Sequence, residues 1–102
     1  MSAPAWRLHA EWDWPDLAAG RARLAALLTD LRLPAPFVER VQAEVGDAAE
    51  QTRRRAPQAA LQVRVLVPPE IGGAAALWGF FCLERQPAAA QCVLEVYLYP
   101  ER

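Results

Sequence analysis

The spacing of apolar positions changes along this chain from two to roughly 3.6 and back to two. In residues 6–12, Trp6, Leu8, Ala10 and Trp12 point one way and Arg7, His9 and Glu11 the other, which predicts a half-buried strand. The strand stops at Asp13-Trp14-Pro15-Asp16, where proline suits a first helical turn and either aspartate suits the cap. A first helix is predicted from Pro15 to Leu31, its stripe being Leu17, Gly20, Leu24, Leu27, Leu28 and Leu31. Leu33-Pro34-Ala35-Pro36 ends it. A second helix is predicted from Pro36 to Arg55, with Phe37, Val41, Val45, Ala48 and Thr52 inward and Arg53-Arg54-Arg55 closing the last turn, as its dipole favours. Gly46 within it costs about 1 kcal/mol relative to alanine and implies a close neighbour.

Period two returns at Leu61, Val63, Val65 and Val67, with Gln62, Arg64 and Leu66 behind them. After the turn-forming stretch PPEIGGAAA come LWGFFCLER (Leu77–Arg85) and CVLEVYLY (Cys92–Tyr99), a hairpin around Pro87. Pairing Arg85 with Cys92 sets Leu83 against Leu94 and Phe81 against Val96 on one side. On the other it sets Trp78 against Tyr99, Phe80 against Tyr97, and Cys82 against Glu95. That register places Cys82 and Cys92 on opposite faces and forbids a disulfide between them. The expected fold is a single α+β domain over residues 1–102, in the order β-α-α-β-β-β. It is a two-layer sandwich: a meander plus one extra strand, mainly antiparallel, with both helices on one face. Both hairpin strands are apolar on nearly every residue, so both faces need cover, and the helices supply only one.

Composition narrows the function classes. The chain has 102 residues, 54% hydrophobic, with a formal net charge of -1, so no global field draws it to nucleic acid or to an anionic membrane. All eleven basic residues are arginine, and asparagine is absent, a bias that GC-rich bacterial coding sequence accounts for. The start, MSAPAWRLHAEWDW, has neither the basic n-region nor the apolar run of a signal peptide, and no window reaches the ~20 apolar residues of a membrane span. Two cysteines in that setting read as reduced thiols, and a cytoplasmic location is expected.

Candidate chemistry is sparse. His9 is the only histidine and Ser2 the only serine, so no acid–base–nucleophile set forms. His9, Glu11, Asp13 and the cysteines lack metal-ligand spacing. Cys82 reads as a small hydrophobe on the uncovered face, and Glu84 with Glu95 as a diagonal carboxylate pair on a sheet rather than in a cleft. No catalytic, cofactor or metal residues are assigned.

The stretch LLTDLRLPAPFVERVQAEVGDAAEQ, within a strand–helix–Leu-Pro turn–helix–strand layout, resembles the N-terminal half of the histidine-kinase-like ATPases, especially the small anti-sigma-factor serine kinases. In that family the second helix carries an acidic residue, then an asparagine that holds magnesium. Here the acidic position is Asp47, and Glu50 or Gln51 stands where the asparagine would be. The glycine boxes that bind adenine are missing too, so the resemblance implies a shared scaffold without ATP chemistry.

The leading expectation is therefore a non-catalytic adaptor or regulator. Its uncovered sheet face, bearing Leu66, Trp78, Phe80, Tyr97 and Tyr99, binds a second copy or another protein, unless the N-terminal tail or the PPEIGGAAA loop folds across it. A divergent nucleotide-binding, kinase-like regulator is the alternative. A third reading is a small-molecule sensor with a pocket lined by Trp12, Phe37 and Leu94.

Overall fold

The computed structural model describes residues 6–68 and 77–101. It is an α+β sandwich in the order β1 (Arg7–Asp13), α1 (Leu17–Asp30), α2 (Ala35–Arg55), β2 (Ala60–Val67), β3 (Leu77–Ala88), β4 (Gln91–Glu101). The four strands form one sheet in the order β1-β2-β4-β3. β1 with β2 and β3 with β4 are antiparallel, whereas the central β2–β4 pair is parallel. The expected meander is therefore replaced by a split arrangement in which β4 inserts between β2 and β3. The stretch 69–76, read as a turn-rich loop, lies outside the described residues.

Each helix boundary has a local cause. Asp16 caps α1, its carboxylate accepting from the Ala19 amide at 2.8 Å, which decides between the two candidate aspartates. At the other end Arg32 takes φ 58°, and Arg32 and Leu33 donate to the carbonyls of Thr29 and Leu28, closing the helix in a Schellman turn. Gly46 of α2 lies under the Arg21 guanidinium, which would come within 2.8 Å of an added Cβ. Helix α1 thus supplies the close neighbour that this mid-helix glycine implied.

The core lies between the helices and one face of the sheet. β2 contributes Leu61, Val63, Val65 and Val67, β4 contributes Cys92, Leu94, Val96 and Leu98, and the helices meet them with Leu24, Leu28, Phe37, Val41, Val45 and Ala49. Trp14, read from the sequence only as part of a strand stop, is 1% exposed and wedges between α1 and the sheet. Its amide donates to the Leu61 carbonyl, and Arg53 of α2 donates to its carbonyl. Gly20 is the seat for its ring.

Two bulges set the faces of the sheet. In β1 the pairing shifts between Leu8 and Ala10, so Leu8 does not share the core face with Ala10 and Trp12 as strict alternation predicted. In β3 it shifts between Arg85 and Ala88. The observed register pairs Arg85 with Val93, Leu83 with Glu95 and Phe81 with Tyr97, one residue away from the expected one. A one-residue slip turns every side chain of a strand to the opposite face. Phe81 and Leu83 therefore leave the helix side, while Trp78 and Phe80 join it. Phe37 meets the rings of Trp78 and Phe80 at 6.4 and 5.7 Å, and the Arg40 guanidinium lies 5.4 Å from the Phe80 ring. Cys82 opposes Val96, so both cysteines face the helices, yet four residues of strand (~13 Å) keep the free thiols apart.

An alanine at position 20 would drive its Cβ into the Trp14 ring. Gly20→Ala is expected to lose roughly 1–3 kcal/mol by overpacking, read from the urea midpoint. An unchanged midpoint would contradict the wedge.

Candidate functional site

Among the described residues, the side of the sheet away from the helices has no second layer, and its residues fall into rows that run across the strands. The first row is Leu8, Leu66, Tyr97 and Phe81, in the order β1, β2, β4, β3. The second is Glu11, Arg64, Glu95 and Leu83, and the third Asp13, Gln62, Val93 and Arg85. One row is apolar, the second alternates in charge over three strands, and the third carries opposite charges at its two ends.

The apolar row is built from aromatic contacts. Phe81 stacks on Tyr97 with ring centroids 4.7 Å apart and planes 9° from parallel. Trp6, just before β1, lies edge-on to Tyr97 at 5.0 Å and to Phe81 at 6.2 Å. Tyr99 reaches Phe81 at 6.1 Å by lying over Gly79, where any Cβ would come within 2.5 Å of its ring. Among the described residues, all four exposed large hydrophobics sit on this face: Leu8 at 48%, Leu77 at 58%, Phe81 at 41% and Leu83 at 42%. Apolar clusters of this kind are uncommon on the surface of a monomer.

Beside it the charges are ordered. Arg64 lies 3.0 Å from Glu11, and Arg85 donates to Glu95, which also accepts from the Tyr97 hydroxyl at 3.1 Å. Glu95 is 7% exposed, so its pairing with Arg85 and Tyr97 answers the cost of burying a carboxylate.

Of the five surface residues read from the sequence, Leu66, Tyr97 and Tyr99 are on this face. Trp78 and Phe80 are packed under α2 instead, and Phe81 takes their place. Trp6, Leu8 and Leu83 belong to the face and were missed. Pro87 was the available signal: proline cannot donate to a ladder and marks a bulge on an edge strand. Glu84 and Glu95 lie on opposite faces and form no carboxylate pair. Asp47 lies on the exposed side of α2. Phe37 and Leu94 are core residues with Trp12 packed against them.

A groove of about 400 Å³ opens at the end of α2, lined by Thr52, Arg55, Glu84, Arg85, Gln86 and Cys92. Arg55 pairs with Glu84 at 2.5 Å, and Thr52 donates to the same carboxylate oxygen. Chiefly through the Arg55 hydrogen bond and then that of Thr52, the Glu84 carboxyl is held below its ordinary pKa. The groove offers one neutralised carboxylate and no nucleophile with a base. No cluster of metal-ligating side chains occurs among the described residues, and no helix there is long and apolar enough to cross a membrane. No family model, no curated protein and no solved structure matches the chain.

Burial, and then Glu44 of α2, push the Cys82 thiol up to about 11. Its thiolate fraction at pH 8 is then about a hundredfold below that of a thiol in an unfolded chain. A thiolate of higher pKa is also the stronger nucleophile, which offsets part of that difference. Cys82 of the native protein is therefore expected to react with a disulfide reagent at least roughly tenfold more slowly than in urea-unfolded protein, and fast labelling of Cys82 would contradict its place under α2. Because the Glu84 pKa is depressed, its pairing stabilises the fold above the ordinary carboxylate range, and that share is lost as pH falls through the lowered value. Glu84→Gln is expected to flatten the acid limb of the stability–pH curve, and an unaltered limb would count against the pairing.

Proposed function

We propose that this chain is a non-catalytic, cytoplasmic protein-interaction module, a small adaptor or regulator that works through the open face of its sheet. The observation that carries the reading is the concentration on that face of all four large hydrophobics that are exposed among the described residues, around the Trp6–Phe81–Tyr97 cluster. Exposed aromatic and apolar groups at the centre of a patch, with charges beside them, have the composition of an interface core and its rim. Covering them removes apolar surface from water at about 25 cal/mol per Å². Helices α1 and α2 already cover the other face, and neither approaches this one.

Neighbouring chemistry supports a binding role over a catalytic one. Each charged group on the face has an opposite partner or lies at the rim, an arrangement that steers and selects partners. The half-exposed pairs contribute little to stability themselves.

Phe81→Asp and Leu8→Asp test the reading. Leu8 is half exposed, so its substitution is expected to change folding stability by about 1 kcal/mol or less. Phe81→Asp, which also gives up the stacking on Tyr97, is expected to cost roughly 1–3 kcal/mol, so folding of each variant is checked by its urea midpoint. Each is expected to abolish association, read as a fall in mass by light scattering or as loss of a co-purifying protein. Arg23→Asp, on the exposed side of α1, is the control that retains it. Association that survives both face variants would overturn the proposal.

A further inference from the structure

Resting on that reading, we infer that the occupant of the open face is a second copy of this chain, packed sheet to sheet about a two-fold axis parallel to the strands. The argument is charge complementarity within the rows. An axis lying between the two sheets and along the strands places β1 over the partner's β3 and β2 over the partner's β4. Each row then meets itself reversed. The apolar row Leu8–Leu66–Tyr97–Phe81 sets Leu8 on the partner's Phe81 and Leu66 on the partner's Tyr97. The second row, Glu11–Arg64–Glu95–Leu83, sets Arg64 against the partner's Glu95. The third, Asp13–Gln62–Val93–Arg85, sets Asp13 against the partner's Arg85. Each ionic contact occurs twice by symmetry, and no like charges meet.

The other face-to-face two-fold runs across the strands and reverses the order of the rows. Run through the second row, it lays the apolar row on Asp13 and Arg85 and strands both charges against apolar groups, which costs free energy. The strand-parallel axis leaves only Glu11, itself paired with Arg64, beside the partner's Leu83. Relief on the face favours the same axis as charge does. The Trp6 ring stands over Tyr97 and Phe81, on the β4–β3 half, and Leu8 and Leu66 on the β1–β2 half carry no ring of their own row. Turned about the strand-parallel axis, each Trp6 comes down on the partner's Leu8 and Leu66. Sheets that pack in the aligned mode lie about 10 Å apart with their strands within roughly 30°, and the row matches fit that geometry.

Two measurements test the inference. Light scattering of the unmodified chain at high micromolar concentration is expected to give twice its 11.3 kDa mass. In a Cys82→Ala, Cys92→Ala background, single-cysteine variants Asp13→Cys and Arg85→Cys are mixed and treated with a short bis-maleimide. The mixture is expected to cross-link roughly tenfold or more faster than either variant alone, since only the mixed dimer holds the two thiols together. Glu11→Cys mixed with Leu83→Cys, which leaves the Arg85–Glu95 pair intact, is expected to behave alike. Dimers in which neither mixture cross-links, or in which Leu8→Cys links to Asp13→Cys instead, would overturn the arrangement. A monomeric mass would overturn the self-association outright. In the monomeric case, a different protein that is lost on Phe81→Asp would leave the interaction reading standing, so the two failures are told apart.

Discussion

One extra residue in β3, at Gln86-Pro87, governs what the surface of this molecule looks like. Between Arg85 and Ala88 the strand carries two residues where β4 carries only Cys92. Proline has no amide to give to the ladder, so the unpaired position falls naturally at this edge-strand bulge. Upstream of it, the register decides which residues the helices cover. Trp78, Phe80 and Cys82 go under α2, whereas Gly79, Phe81 and Leu83 face outward. Had pairing run through the turn without the bulge, Phe81 would be buried and the open face would be a different one.

The second constraint is the coupling between that register and the row structure. β4 lies at the centre of the sheet, parallel to β2 and antiparallel to β3, so its outward residues Val93, Glu95, Tyr97 and Tyr99 join both halves of the face. The bulge between Leu8 and Ala10 in β1 completes the pattern by bringing Leu8 into the row of Leu66, Tyr97 and Phe81. Apolar and charged rows then follow from strand geometry, because side chains two residues apart share a face. Glu95 is the link between them, buried beside Tyr97 and tied to Arg85.

Much of the architecture was legible in the sequence. Leucine spacing gave α1, the Leu33-Pro34 stop bounded its end while its cap stayed open between Asp13 and Asp16, and alternation in Leu61–Val67 correctly assigned the inward side of β2. Leu94 and Val96 were rightly read as facing the helices. What escaped was non-local or depended on a single residue. Strand order was hidden because β2 and β3 follow one another in sequence without pairing. Trp14 looked like part of a turn because its burial depends on Gly20, Leu61 and Arg53, which come from three other elements. The division of the hairpin was obscured because LWGFFCLER is apolar on both faces, so its pattern offers no parity to choose between. Only the proline distinguished the two registers.

The most direct test is therefore of the register itself, by nuclear Overhauser contacts between β3 and β4 in solution. Cross-strand backbone contacts are expected to join Phe81 with Tyr97 and Leu83 with Glu95, with Phe80 and Trp78 ring protons close to Phe37. Contacts joining Phe81 with Val96 and Leu83 with Leu94 would place the aromatic rings on the other faces and contradict the assignment of the open surface.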